Sequence, residues 1–554
     1  MRYPAIYPGV DLHYHLSGND IEFDFEAEND ADVSRIRLRF DENVRISAQG
    51  DLLLSSGAVR RPAAWQTVAG VRRPVPVSFR TIGRRRAGFR LGPHDRTVPV
   101  VIDPRVDFAT IPGGSAAESD TQMIVDSAGS IYMAGTTFSV DFPASELPGS
   151  LLNAPESLLK STVYVTRLRP DASAIDWSFF IGGTASQNCA GLAQDSLGDV
   201  YVFGATTSAN FPVTPGAWKT SISPRLNDEF VVKMDAGTGM LKASTYLGLQ
   251  IITTSFAVDS AGGVYAAGIA FASFQPTPGA YLTSTSGIAG FYDAVGILRL
   301  NASLTNAVYA TYMDIGVPSL LQADPGGNLI FTGTAGFVNP PGAFPAVNPI
   351  PGINQTPQLG GQGFIAKLNA FGSGLVYASL LYGNGGQASA TDLQVDSAGN
   401  AWVAGYTGGG FPVVNSLIPD AVPSGQTDVI FPFFAEIPPA GGVLLQSTLF
   451  TGADFPAFTG DLTQPALLRF AFPAGRLCLM GVPIASQTTG GLGVANPMIY
   501  GASTLICAND AGTGIGLRTI LPGTEGGYSV AQATPEGAIL LAGTGRSVSR
   551  QLQA

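Results

Sequence analysis

Histidine is nearly missing from this chain of 554 residues: His13, His15 and His94 are the three it has, all near one end. With none in 106–554, a Ser/His/Asp or Cys/His catalytic arrangement is excluded there, as is any His-ligated metal. Cysteine is equally scarce. Cys189, Cys478 and Cys507 form an odd, sparse set without CxxC or Cys/His spacing, which argues against a disulfide framework and a zinc cluster. Free buried thiols are the expectation, with a Cys478–Cys507 bridge left for strand geometry to decide. Charged side chains amount to 13% of the chain, and Lys is absent from 1–105. No run of about 18 apolar residues is present to span a membrane as a helix. No long segment keeps a helical apolar period. The opening Met-Arg-Tyr-Pro-Ala-Ile-Tyr-Pro lacks the apolar stretch of a signal peptide.

What the chain does have is turn chemistry. Gly (69) and Pro (39) together make up about a fifth of the residues, against an average of roughly 12%. Set among short apolar runs, they predict many short strands with tight connections. Charge divides unevenly. Residues 1–105 carry 16 Arg against 13 Asp and Glu, a net of +3, and the remainder carries 14 basic and 28 acidic side chains, a net of −14. An acidic body argues against nucleic-acid binding, which needs a basic face for phosphate contacts. The run Arg84-Arg85-Arg86 reads as a solvated turn between two strands.

Self-similarity is the strongest signal. IVDSAGSIYMAG (124–135) returns as AQDSLGDVYVFG (193–204), AVDSAGGVYAAG (257–268), QADPGGNLIFTG (322–333) and QVDSAGNAWVAG (394–405). Two looser copies follow, RFAFPAGRLCLMG (469–481) and AQATPEGAILLAG (531–543). Each phrase predicts a β-hairpin. The Asp bonds backbone N–H groups to open the turn, the Gly takes the left-handed conformation that closes it, and alternating apolar residues build both strands. The turn pairs are Asp126/Gly129, Asp195/Gly198, Asp259/Gly262, Asp324/Gly327 and Asp396/Gly399; the last two copies keep only Gly475 and Gly537. Losing the Asp while keeping the Gly points to backbone geometry rather than a ligand. Two more strands follow each hairpin, as in VYVTRLRPD (163–171) with AIDWSFFIGG (174–183), and FVVKMDA (230–236) with LKASTYLG (241–248).

Four strands repeated seven times describe an all-β, seven-bladed propeller of four-stranded blades. After the last hairpin only SVSRQLQA (547–554) remains, a third strand without a fourth, while VDFATIPGG (106–114) carries the fourth-strand pattern alone before the first hairpin. The strand at 106–111 is therefore expected to complete the sheet made by the C-terminus, closing the ring and removing two exposed edges. On this reading 1–104 form an Arg-rich, sandwich-like β-domain and 105–554 the propeller.

The repeat, with the pieces TTFSVDFP (136–143), TTSANFPVTPGAW (206–218), FQPTPGAY (274–281), PPGAF (340–344) and GGGFP (408–412), resembles the bacterial SBBP-type β-propeller repeat proteins. The resemblance covers about 106–554 and is clearest in five blades. Residues 1–105, with YPGVDLHY (7–14), FDFEA (23–27) and VIDPRV (101–106), are similar to the segment that precedes such repeats. The resemblance implies that this segment begins upstream, after a signal peptide, so that Met1 stands partway through it. It also implies an extracellular or cell-surface setting.

Candidate chemistry is thin. His13 and His15 alternate on a strand with Asp11, the start of a metal set that lacks defined further ligands, and a strand face bearing two polar rings explains them as well. The long second-to-third connections and the fourth-to-first connections share one face of the ring. They bring Glu118 and Asp120 near Asp141 in blade one, and Gln187 and Asn188 near Asn210 in blade two. Such oxygen-rich loops could take Ca²⁺ or hydrogen-bond a sugar, although the amides of blade two weaken a repeated metal site. No other cofactor is suggested. The aromatics Phe142, Phe211, Phe344, Phe411, Trp218 and Tyr281 read as anchors that pin the long loops to their blades. These features predict a non-catalytic binding or scaffold protein, a monomer, with a protein or glycan partner at the cell envelope, no nucleic acid and no membrane span. The alternative is a carboxylate-based glycoside hydrolase or polysaccharide lyase acting at the axial face.

Overall fold

The computed structural model describes residues 2–103 and 113–450 except for 18–19, 30, 40–43, 47–49, 51, 55–56, 60, 69–70, 145–159, 171–174, 224–227, 251–255, 271–273, 285–294, 336–343, 357–361, 384–387, 409 and 419–429. It also describes 467–472, 477–482, 504–508, 515–520, 528–533 and 539–543. Among the described residues the regular structure is β apart from a single 3₁₀ turn, Val33–Arg35. No helix among them is long and apolar enough to cross a membrane.

In the N-terminal part, alternation of side chains decides which face is buried. Val10, Phe25 and Ala27 face a core shared with Val33, Ile36, Leu52, Phe79, Phe89, Val100 and Ile102. The residues between them, Asp11, His13, Asp24 and Glu26, stand on the opposite face of the same antiparallel pair, Val10–Ser17 with Asp20–Ala27. A six-stranded sheet holds this pair next to Val100–Asp103, with Val77–Thr81, Arg86–Leu91 and Leu38–Arg39 in a second sheet. Arg84, Arg85 and Arg86 are exposed at the turn between Val77–Thr81 and Arg86–Leu91.

From residue 113 onward the chain builds sheet after sheet in sequence order. Blade 1 is Glu118–Val125, Ile131–Thr137, Thr162–Leu168 and Ile175–Ile181, each antiparallel to the next. Blade 2 repeats this with Gln187–Gln194, Val200–Thr206, Asp228–Met234 and Leu241–Tyr246. Blade 3 splits its first strand into Leu249–Gln250 and Phe256–Val258, both against Val264–Ala270, followed by Val295–Leu300 and Ala307–Met313. Blade 4 comprises Val317–Ala323, Leu329–Ala335, Gln362–Leu368 and Leu375–Leu380, and blade 5 Ala388–Val395, Ala401–Gly408, Ile430–Ile437 and Gln446–Leu449. Blade 6 is Leu467–Ala471, Cys478–Val482, Thr504–Ala508 and Ile515–Ile520, and a hairpin of Tyr528–Ala533 with Ile539–Gly543 follows. Each first strand lies against the first strand of the next sheet, and Tyr528–Ala533 lies against Glu118–Val125. The array is a closed ring, a β-propeller. The strands expected to complete the last sheet, 106–111 and 547–554, and the turn glycines Gly475 and Gly537, lie outside the described residues.

One sequence expectation needs correcting. Cys478 is disulfide-bonded rather than a free thiol, and Cys507 stands directly opposite it in the antiparallel register of blade 6. Adjacent antiparallel strands supply the Cα proximity that the linear sequence hides. Cys189 is a buried free thiol.

Candidate functional site

The repeated Asp is a structural latch. In blade 3, Asp259 Oδ1 accepts the backbone N–H groups of Ala261 (3.0 Å) and Gly263 (2.7 Å), while Oδ2 accepts the Tyr265 hydroxyl (3.0 Å) and Arg299 Nη2 (2.8 Å). Blade 2 matches it with Asp195, Leu197, Asp199, Tyr201 and Lys233. In blade 4, Asp324 pairs with buried Lys367 at 2.7 Å, and Asn328 replaces the missing tyrosine by donating Nδ2 to both carboxylate oxygens. Burial works to raise the Asp324 carboxyl, but the bonds from Lys367 and Asn328 outweigh it and hold it below its ordinary range. The Tyr and the basic residue are cross-strand neighbours, Tyr201 opposite Lys233 and Tyr265 opposite Arg299. Asp126 of blade 1 and Asp396 of blade 5 cap their turns alike, the latter with Trp402 and Asn400. Gly129, Gly198, Gly262, Gly327 and Gly399 close these turns at φ between 74° and 87°.

The latch also reaches the following blade. Tyr265 donates to Gly327 O (2.8 Å), Arg299 to Ala370 O (2.9 Å) and Lys367 to Pro439 O (2.9 Å). Blade 5 departs from the pattern: Glu436 takes the position of the basic residue, and Asn400 Nδ2 bridges it to Asp396. Burial and then the Asp396 charge push the Glu436 carboxyl up, with Asn400 opposing.

The residues proposed from sequence as ligand-binding come together as ties within the long-loop face. Asp141 Oδ1 accepts the Ser115 N–H (2.8 Å) and hydroxyl (2.9 Å), bonds that keep its carboxyl below the usual range. Glu118 Oε1 accepts Gly114 N–H (3.1 Å), Thr137 Oγ1 (3.0 Å) and Ser139 Oγ (2.6 Å). Blade 2 copies this with amides: Asn210 Oδ1 accepts from Thr184 N and Oγ1, each at 3.0 Å, and Gln187 Nε2 donates to Ala185 O and to Ser208 Oγ. Asn188 accepts the Ser161 hydroxyl at 3.0 Å. A Cβ on Gly114 would strike Ser139 and Asp141, and one on Gly183 would strike Ser208 and Asn210, so the fourth-to-first connection passes only as glycine. Asp120 falls in the register shift of the first strand; its side chain lies outside the described residues.

The aromatic anchors open the long connections of blades 1, 2, 4 and 5. Phe211 is 3% exposed and meets Phe230 and Tyr246; Phe142 stacks on Tyr164 at 4.3 Å; Phe411 meets Phe433, and Phe344 meets Phe364. Beyond the Phe, the straps of blades 2 to 5 run along the otherwise unpaired edge of the fourth strand. Thr214 N–H bonds Ser244 O, Thr277 N–H bonds Ala310 O, and Val347 pairs with Ala378 in both directions. The straps then reach the next blade, where Trp218 N–H meets Leu304 O (2.8 Å) and Tyr281 N–H meets Gly372 O (2.7 Å). Trp218 stays 39% exposed.

Glu229 was outside the strand expected at 230–236, yet the strand begins at Asp228 and buries it. Its carboxyl lines a small cavity between blades 2 and 3 with Ala190, Phe203, Gly204, Phe230, Leu247 and Phe256. Oε1 has no hydrogen-bond partner. Burial, then the charge of Asp228, push the group well above its ordinary range. Alternation sends Asp228 the other way, where Ser223, Lys219 and the Gly248 N–H bond it. The two acids are neighbours in sequence and do not face each other. In the N-terminal part His94 Nδ1 contacts Gly92 O, away from His13, whereas Asp11 and His13 are joined by Glu26.

Residues 1–105 match a family model described as a domain of unknown function (DUF7948). No curated protein matches the chain. Solved structures similar in fold include the RRP9 WD40 repeats, at 9% identity and a TM-score of 0.42, covering 78% of this chain and 88% of that one. The Cps50 (Swd1) β-propeller domain of Myceliophteria thermophila gives 10% identity and 0.38, covering 77% and 96%. A Synechocystis apocarotenoid oxygenase gives 10% and 0.36, covering 94% and 96%.

Proposed function

We propose that this protein is a non-catalytic binding scaffold, exported to the cell surface or medium, that presents the long-connection face of its propeller to a protein or glycan partner. One observation carries the reading: the repeated polar side chains are engaged inside the frame, as latches, ties and straps. The connections between second and third strands differ in sequence from blade to blade around that constant frame, and loops on a rigid scaffold are where recognition concentrates. A glycoside hydrolase or lyase would need facing carboxylates, whereas Glu118 and Asp141 hold the loop face together. Purified protein passed over a panel of immobilised polysaccharides and over envelope proteins is expected to be retained without releasing product. Release of oligosaccharides would overturn the reading in favour of the enzyme.

A further inference from the structure

We propose that Asp11, His13 and Glu26 form a divalent transition-metal site on the N-terminal hairpin, taking Zn²⁺ through one imidazole nitrogen and two carboxylate oxygens. Each residue offers one ligand atom, and the three atoms lie within 4.8 Å of one another. Strand pairing makes this set. Asp11 is directly opposite Glu26, and His13 is two residues along on the same face, opposite Asp24.

Three features separate this set from a surface ion pair. First, His13 Nε2 is shut off from water and makes no hydrogen bond, although Glu26 Oε2 is 3.0 Å away. The carboxylate sits beside the ring nitrogen without the alignment a hydrogen bond requires. Two ligands on one tetrahedral Zn²⁺ stand about 3.3–3.6 Å apart, given Zn–N and Zn–O bonds of roughly 2.0–2.2 Å, so opening the 3.0 Å approach by a few tenths of an ångström lets both atoms share an ion. Second, Asp11 is 7% exposed, and its Oδ1 is fixed by the Ala5 N–H at 2.7 Å. Ala5 adopts φ 53°, unusual for a residue with a side chain, inside the irregular stretch of Arg2–Tyr7. An outer bond of this kind orients a ligating carboxylate. Third, the set mixes one imidazole nitrogen with two carboxylate oxygens on one strand face, the donor mix that suits a divalent transition metal. The side chains of His13 and Glu26 are 32% and 39% exposed, which gives an ion a way in. Three protein ligands leave a fourth position for water or for a group on a partner.

The test uses the full chain, stripped of metal by a chelator and titrated calorimetrically with ZnCl₂, with CaCl₂ as comparator. One saturable Zn²⁺ site is expected, weakened at least tenfold in His13→Ala and in the near-isosteric Glu26→Gln, both checked by circular dichroism for an unchanged fold. Should His13→Ala unfold the chain, Glu26→Gln together with the ligand-field spectrum of Co²⁺ at the site decides the matter. Absence of saturable Zn²⁺ binding, binding unchanged in folded variants, or Ca²⁺ taken in preference would each overturn the proposal.

Discussion

At the scale of single residues, Glu229 is the clearest case of a side chain at odds with its surroundings. A carboxyl with an unbonded oxygen among Phe203, Phe230, Leu247 and Phe256 is tolerable only while it keeps its proton. Its folded-state pKa lies well above the ordinary 4.5, so the folded chain holds a proton that the unfolded chain has released. Stability from this group is complete below about pH 4.5 and declines as pH rises toward the folded-state value. Glu229→Gln is therefore expected to flatten the fall of the melting temperature as pH rises above about 4.5 and to raise that temperature at pH 8. Melting curves across pH, monitored by circular dichroism, check this; parallel slopes for wild type and variant would reject it. Neither Glu229 nor Glu26 could be recognised from sequence alone. Glu229 precedes the strand expected at 230–236, and Glu26 joins His13 only once the hairpin register is known.

The blade is the scale at which the chain is most legible. Asp and Gly three residues apart inside alternating apolar runs announce a hairpin, because that turn needs both a carboxylate acceptor and a left-handed residue. The tyrosine three positions after that Gly, and the Arg or Lys later on, carry no such mark, since their roles appear only when Tyr265, Arg299 and Asp259 meet across strands. The same applies to the Thr-Pro-Gly-Ala straps: a loop could be read, but not the strand edge it covers.

Between blades the fit is specific. Gly372 and Gly441, at φ 67° and 71°, lie under the rings of Tyr309 and Tyr377, where a Cβ would collide. Blade 2 instead has Ala243 at the position of those rings, and blade 3 answers with Leu304, fully buried at φ 57° in the same cluster as Ala243. The large and small partners have changed places. Leu304→Ala is expected to cost about 2–4 kcal/mol through the cavity it leaves. Ala243→Tyr alone should cost about 1–3 kcal/mol through overpacking. The double variant Ala243→Tyr/Leu304→Gly should recover at least about 1 kcal/mol relative to the sum of Ala243→Tyr and Leu304→Gly made singly, all measured by urea denaturation. Strict additivity would show that the two positions do not share the space.

On the scale of the whole molecule, latches and straps connect blade 2 to blade 3, blade 3 to blade 4 and blade 4 to blade 5, so stability there is shared between blades rather than held in separate sheets. Asp259→Ala removes a turn cap and leaves Arg299 without its carboxylate, a loss of about 3 kcal/mol or more for a buried pair. If blades 3 and 4 are coupled as Tyr265 and Arg299 imply, the variant lowers one shared unfolding transition. Differential scanning calorimetry would show two separated transitions if the blades instead melt alone.

The exchange at Ala243 and Leu304 gives the units an address. Copies that look interchangeable as text are keyed to one neighbour on each side, so moving the third unit behind any blade that carries a ring at this position would drive an aromatic side chain into Leu304. An array of this kind can be lengthened by duplicating a matched pair, but it cannot be shuffled one module at a time.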